Sequence, residues 1–284
     1  MKEIKHIIVA TDFSVTARNA YCYARVLANT LNATLTVVHI KEDLMIATDS
    51  IVSQRIDDHT KIIKEIEDFI DADVPGIPAS TYTQQVKIKI LKGDPVTVLT
   101  ELSKNNSTDL MVVGTTGLSD VLTKIFGSTS HKVSNKAHCP VILVPRDAKW
   151  KLIEKIVFAS NYDSITSDLI ENITDFALSV HADIHFVNVK NFDPVFEPKQ
   201  KETDWTELST IDPDLYFEKH TVYGNDAVEQ LKKYSDTNGV DMIAFVSNHR
   251  NFWESLVHKS ITENIALSTI IPIMVMHVDD NTIL

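Results

Sequence analysis

The glycine spacing at the end of one apolar run is the feature of this chain most suited to chemistry. Three of the seven glycines fall within fourteen residues, at Gly114, Gly117 and Gly127, and Ser128 and Thr129 follow them. Glycine lets the backbone turn with φ > 0 and approach a ligand closely, and free N–H groups at a helix start attract anions. The spacing therefore indicates a phosphate-binding loop, or else glycines that serve only as turn residues.

The sequence repeats itself once along its length. Four blocks match in the same order: residues 7–12 with 156–161, 32–40 with 181–189, 109–113 with 241–245, and 139–144 with 271–276. Two copies of about 140 residues suit one domain each. We therefore predict tandem domains at residues 1–146 and 152–278, joined by a short polar segment.

Short runs rich in Val and Ile alternate with helical patterns in the first copy. Strands are predicted near residues 5–10, 34–40, 82–91, 109–114 and 140–144. Ser14 is suited to cap the first helix, and Asp94 followed by Pro95 is typical of a later helix start. This alternation predicts an open α/β sheet, in which ligands bind beyond the carboxyl ends of the strands where the strand order reverses.

Two strand ends converge on the glycines. Asp12 ends the first strand, where its carboxylate could bind a ribose hydroxyl or a metal-bound water, or could serve as a turn or cap residue before the first helix. The second strand ends at His39 and Ile40, whose backbone is placed to recognise an adenine edge.

These motifs together resemble the universal stress protein family in its tandem-domain form. The resemblance rests on residues 8–14, 37–40, 93–95 and 139–145 and on the glycine spacing that ends in Ser128. In this family that spacing marks members that bind ATP. The resemblance implies a five-stranded parallel sheet of order 3-2-1-4-5 in each domain, with helices on both faces.

The resemblance also implies a stress-response regulatory function that depends on ATP, AMP or ADP, with Mg²⁺ accompanying the nucleotide. It implies adenine contacts at Ile40, a ribose or indirect magnesium contact at Asp12, and phosphates at the glycines. The full predicted set of nucleotide-binding residues is Ala10, Thr11, Asp12, Ile40, Gly114, Thr115, Gly117, Gly127, Ser128 and Thr129.

The second copy departs from this pattern. Gly114, Gly117, Gly127 and Asp12 align with Val246, His249, Lys259 and Asn161. Each replaced glycine gains a side chain where backbone should approach phosphate, and Val is poorly suited to positive φ. The second domain is therefore predicted to be degenerate and structural. The alternative is that His249, Arg250 and Lys259 rebuild an anion site from side-chain charge.

Composition narrows the function classes. The formal net charge of −12 argues against a nucleic-acid partner. No apolar run approaches the ~20 residues of a membrane span, and the first residues lack a signal-peptide core, so we expect a cytoplasmic protein. Cys22 and Cys139 are predicted to be buried free thiols. His181 and His185 have zinc-like spacing, but they straddle a helix end and a strand start, and no cluster is predicted to complete a site.

A nucleotide-binding regulator is favoured over the alternative, a slow Mg-dependent ATPase. Phosphoryl transfer needs a metal clamp, a water-positioning group and usually a cation on the phosphate. Lys124 is expected to be the only cation near the glycines, and no catalytic residue is predicted.

The last strands of the two copies, residues 141–144 and 273–276, are apolar and would each lie at a sheet edge. An unpaired apolar edge invites association. We therefore predict that these strands pair antiparallel in an internal pseudo-dimer, and we expect two chains to form a homodimer.

Overall fold

The computed structural model describes residues 3–41, 51–71, 85–104, 108–115, 128–159, 167–190, 215–247 and 271–277. The strands are β1 (His6–Thr11), β2 (Thr34–Lys41), β3 (Val86–Lys92), β4 (Leu110–Gly114), β5 (Val141–Val144), β6 (Lys155–Ala159), β7 (Asp183–Lys190), β8 (Phe217–Tyr223), β9 (Met242–Ser247) and β10 (Ile273–His277). The helices are α1 (Val15–Thr30), α2 (Ile51–Asp71), α3 (Pro95–Lys104), α4 (Ser128–Lys136), α5 (Ser167–Val180) and α6 (Ala227–Asn238). None of these helices is long and apolar enough to cross a membrane.

All of these strands lie in one ten-stranded sheet of order β3-β2-β1-β4-β5-β10-β9-β6-β7-β8. Neighbouring strands within each half are parallel, which gives the predicted order 3-2-1-4-5 twice. The halves meet where β5 and β10 pair antiparallel, with Ile142 opposite Met274. The predicted α/β fold and the predicted pairing of the last strands are both confirmed.

The burial of each strand follows its position in the sheet. The inner strands β4 and β5 are continuous apolar runs that are buried on both faces, as expected for a parallel sheet covered by helices. The outermost strands β3 and β8 instead alternate between more and less exposed side chains. One apolar core contains residues of α1, α2 and α5, and a second contains residues of α3, α4 and α6. Helices therefore cover both faces of the sheet.

The two helix starts predicted from the sequence are confirmed. Oγ of Ser14 accepts a hydrogen bond from the Ala17 N–H at 3.1 Å, which caps α1. Oδ2 of Asp94 accepts from the Thr97 N–H at 2.8 Å, and α3 begins at Pro95. These side chains satisfy N–H groups that have no partner within their own helix.

The repeat extends to individual hydrogen bonds. In the first half, Oδ2 of Asp109 accepts from the backbone N–H groups of residues 5–6, each at 2.9 Å. In the second half, Oδ2 of Asp241 accepts from those of residues 154–155, again at 2.9 Å. Each carboxylate thus fastens the start of the first strand of its half to the start of the fourth.

The segment between β5 and β6 is held against α1. Nδ2 of Asn19 donates to the carbonyl oxygens of Pro145 at 2.7 Å and Ala148 at 2.8 Å. Trp150 packs edge-to-face on Tyr23, with ring centroids 5.5 Å apart. The chain between the two halves is therefore packed on the first half, while the exact domain boundaries stay a prediction.

Both cysteines are free and buried, as predicted. Burial raises the pKa of the Cys139 thiol to about 12 and raises the pKa of Cys22 as well. Because the thiolate is the reactive form, both side chains behave as inert core residues near neutral pH.

Candidate functional site

The strand order of the first half reverses between β1 and β4. These strands are parallel neighbours, with Val9 opposite Val112. β1 leads into α1, which packs in one core, whereas β4 precedes α4, which packs in the other. A helix that joins two parallel strands runs back across the sheet, so α4 begins at the carboxyl edge. This is the crevice in which ligands bind in open α/β sheets.

A tight turn joins β1 to α1 at this crevice. Oγ1 of Thr11 accepts from the Phe13 N–H, and Oδ1 of Asp12 accepts from the Ser14 N–H, both at 3.0 Å. Phe13 has a φ of 64°, a conformation that is uncommon for a residue with a bulky side chain. Asp12 thus acts as a turn residue, which was one of its two predicted roles, and its side chain is exposed.

The end of β2 supports this turn. Nδ1 of His39 lies 2.9 Å from the carbonyl oxygen of Thr11. Because a carbonyl only accepts, Nδ1 carries the proton in this contact. The His39 ring also packs on Phe13, with centroids 4.6 Å apart. The sequence analysis predicted a role only for the backbone of residues 39–40, and it did not predict that the His39 side chain supports the turn. Ala10 and Ile40 are half-buried and pack on the core that holds α3 and α4.

Gly114 ends β4 where α1 comes very close. A Cβ at this position would lie 2.7 Å from the carbonyl oxygen of Thr16 and 3.0 Å from its Cγ2. The φ of Gly114 lies outside the left-handed region, so the expectation that positive φ requires glycine here is wrong. In this structure the glycine is required because the first turn of α1 packs directly on the backbone of β4.

Thr115, another predicted site residue, is fixed to the neighbouring strand. Its N–H donates to the carbonyl oxygen of Val144 at 2.9 Å, and its Oγ1 lies 3.5 Å from the same oxygen. The residue is 1% exposed. Its backbone and side chain therefore help to hold the end of β4 against β5, and its predicted contact with a nucleotide stays a prediction.

The helix that follows the glycines begins at Ser128, with Thr129 exposed in its first turn. The first N–H groups of a helix have no partner within it and carry partial positive charge. Gly117, Gly127 and Lys124 lie outside the described residues.

The first half carries cations near α4 beyond the predicted Lys124. Lys132 and Lys136 lie on this helix, and both help to lower the pKa of Asp94, after the larger effect of its hydrogen bonds from Thr97. Burial, and then Lys132, lowers the pKa of His131 on the same helix. The described part of the site thus has positive charge on α4 and the exposed Asp12 carboxylate at the end of β1.

The corresponding strand end of the second half is different. Val246 occupies the position of Gly114 in β9 and packs against the apolar core. The other replacements, Asn161, His249 and Lys259, lie outside the described residues, as does Arg250 of the alternative anion site.

A second group of polar side chains, in the other half of the molecule, was missed from the sequence. His185 lies close to Glu218 and His220, so the expectation that no cluster forms around His185 is wrong. The signal was the alternation of Glu218 and His220 along a strand, which places both side chains on one face.

Comparisons with known proteins agree with this architecture. The sequence profile of the universal stress protein family matches residues 3–145. The universal stress protein YxiE of Bacillus subtilis is 28% identical over 151 residues, covering 49% of this chain and 97% of that protein. A universal stress protein of Thermus aquaticus is 30% identical over 140 residues, covering 49% and 98%.

The likeness to solved structures extends over both halves. A universal stress protein from Archaeoglobus fulgidus superposes with a TM-score of 0.69 at 14% identity, covering 97% of each chain. A functionally unknown protein from Pseudomonas aeruginosa superposes with a TM-score of 0.55 at 15% identity, covering 98% of this chain and 94% of that one. At these identities the likeness shows a shared fold.

Proposed function

Because the chain belongs to the universal stress protein family, we propose that it is a stress-response regulator whose first half binds an adenine nucleotide. The observation that carries this proposal is the meeting of the β1 and β4 ends at the strand-order reversal, with the first turn of α4 at the same edge. Such an edge offers backbone N–H groups to phosphates and apolar strand ends to a base.

Each part of the nucleotide has a partner of suitable chemistry. Ala10 and Ile40 are half-buried apolar residues at neighbouring strand ends and suit the adenine ring. The first turn of α4, preceded in the sequence by Gly127, suits the phosphates. The exposed carboxylate of Asp12 suits a ribose hydroxyl or a magnesium ion carried by the nucleotide, because Mg²⁺ binds carboxylate and phosphate oxygens.

The second half is proposed to be structural. In the first half, Gly114 lets α1 approach β4 closely. The corresponding residue of the second half is Val246, whose side chain packs against the apolar core. Lys259 and His249 also replace glycines in the sequence. We therefore expect one nucleotide per chain.

Calorimetric titration of the full chain with ATP and Mg²⁺ tests this proposal. Gly127→Val places a β-branched side chain where the phosphates are expected, so binding should be lost. Lys259→Gly at the corresponding position of the second half is the matched control and should leave the affinity unchanged. Unchanged binding in Gly127→Val, with native circular dichroism, would contradict the proposal.

A slow Mg-dependent ATPase is the second candidate, and the exposed carboxylate of Asp12 beside the expected phosphates favours it. Steady-state phosphate release under excess ATP separates the two functions. Release faster than about 1 per second would favour the enzyme, whereas release far slower than this favours the regulator.

The homodimer of two chains stays a prediction. The pairing of β5 with β10 uses both of these edges within one chain. A dimer of chains would therefore need another surface, and sedimentation equilibrium would show whether it forms.

A further inference from the structure

Three metal-binding side chains meet on the outer strands of the second half. Glu218 and His220 are two residues apart on β8, so they share one face, and His185 on β7 lies opposite Glu218 in the parallel register. One nitrogen or oxygen atom from each side chain lies within 4.8 Å of the others. A pair of neighbouring parallel strands thus brings two imidazoles and a carboxylate together.

The cluster combines a buried ligand with two that solvent can reach. His185 is 4% exposed, whereas the side chains of Glu218 and His220 are 38% and 34% exposed. Nε2 of His220 lies 2.7 Å from Oε2 of Glu218. The rings of His185 and His220 face each other at 30°, with centroids 5.3 Å apart. An ion can therefore enter from the exposed side and reach the buried imidazole.

Tyrosine hydroxyl groups contact two of the three side chains and fix their orientation. The Tyr234 hydroxyl lies 2.6 Å from Nδ1 of His185, and the Tyr216 hydroxyl donates to Oε1 of Glu218 at 2.6 Å. Because Nδ1 of His185 contacts the Tyr234 hydroxyl, Nε2 is the His185 nitrogen that would bind a metal ion. Partners of this kind fix the orientation of metal ligands in known sites.

The nearby lysine is held away by its own partner. Nζ of Lys155 donates to the carbonyl oxygen of Asn238 at 3.0 Å. The cluster itself offers two imidazoles and a carboxylate, which are donor groups that zinc binds in proteins.

We propose that His185, Glu218 and His220 form a zinc site, with a fourth position open to water. Two histidines and one carboxylate are a donor set that Zn²⁺ uses with an open position, in tetrahedral geometry. The site is independent of the proposed nucleotide site, which lies in the other half of the chain. It goes beyond nucleotide binding because it gives the second half a ligand of its own.

The first half provides an internal comparison. In its corresponding register Thr36 lies opposite Lys87, and Lys89 follows on the same face of β3. A lysine ammonium has no lone pair to give a metal. The corresponding strands of the first half should therefore not bind zinc.

Zinc titration of the metal-free full chain against a chromophoric chelator tests the site. We expect one Zn²⁺ per chain, and Co²⁺ in its place should show the visible absorption of a tetrahedral complex. His220→Ala and Glu218→Gln should abolish retention of zinc. Tyr234→Phe removes only the hydroxyl that contacts Nδ1 of His185 and should weaken zinc binding about 10- to 100-fold.

His181→Asn is the matched control. His181 is exposed, lies four residues before His185 and has a φ of 58°, which Asn tolerates. This variant should bind zinc like the wild type. Because His220 lies half-exposed on an outermost strand, its variant keeps the test valid even if a His185 variant fails to fold. Failure of the wild type to retain zinc, or equal retention by His220→Ala and Glu218→Gln, would overturn the proposal.

Discussion

Replacing Gly114 by alanine should force apart two elements at the candidate site. The added Cβ would lie 2.7 Å from the carbonyl oxygen of Thr16, whereas an ordinary contact begins at 3.4 Å. β4 and the first turn of α1 would therefore have to separate by about 0.7 Å, the difference between these distances. Both are backbone segments, so no side-chain rotation relieves the contact.

Two effects set the expected change in the free energy of unfolding, namely overpacking in the folded state and reduced backbone freedom in the unfolded chain. Overpacking of a well-packed core costs about 1–3 kcal/mol. The loss of backbone freedom in the unfolded chain offsets roughly 0.4–1 kcal/mol of this for Gly→Ala. We therefore expect the free energy of unfolding to fall by about 1–2 kcal/mol, and nucleotide affinity to fall with it because the β1 and β4 ends move.

Urea unfolding followed by circular dichroism measures this change. Gly224→Ala is the matched control, because its Cβ meets the side chain of Gln230 and not backbone. Gln230 can rotate away, so this variant should stay within about 0.5 kcal/mol of the wild type. If Gly114→Ala were as stable as Gly224→Ala, close packing of α1 on β4 would not explain the glycine.

Three further substitutions test the roles of Asp12, of the β5–β10 pairing and of His131. Asp12→Asn keeps an oxygen that accepts from the Ser14 N–H but removes the negative charge. Calorimetry should therefore show an ATP affinity about tenfold lower with Mg²⁺ and little changed without it. An unchanged affinity with Mg²⁺ would mean that Asp12 is a turn residue only. Leu143→Pro removes a β5 N–H that faces β10, opposite Ile273, so small-angle scattering should show a larger radius and a hydrophobic dye should bind. A native radius without added dye binding would refute the edge pairing. The pKa of His131 is lowered in the fold, so the unfolded chain binds a proton more readily below about pH 6.5. The free energy of unfolding should therefore fall from about pH 7 to 5. His131→Gln should reduce this slope, and an unaltered slope would show that His131 does not cause it.

Local signals predicted much of the fold. Ser14 and Asp94 are caps whose partners lie three residues away, so sequence spacing alone identifies them. The apolar runs of β4 and β5 indicated buried parallel strands, and the repeat indicated that the same order occurs twice. These features depend on neighbours along the chain or on internal similarity.

Features that depend on distant contacts were not predictable in the same way. The reason for Gly114 lies in Thr16, nearly a hundred residues earlier in the chain. The left-handed φ of Phe13 depends on the turn it occupies, and no glycine marks it. The metal-binding cluster joins β7 to β8, so only the strand register brings Glu218 to His185.

Native mass spectrometry of the full chain with Mg²⁺ and ATP counts the nucleotides bound to each chain, and so tests whether the first half alone binds nucleotide. We expect one nucleotide per chain, lost in Gly117→Val and kept in Lys259→Gly. Two nucleotides per chain, or one that survives Gly117→Val, would contradict this assignment.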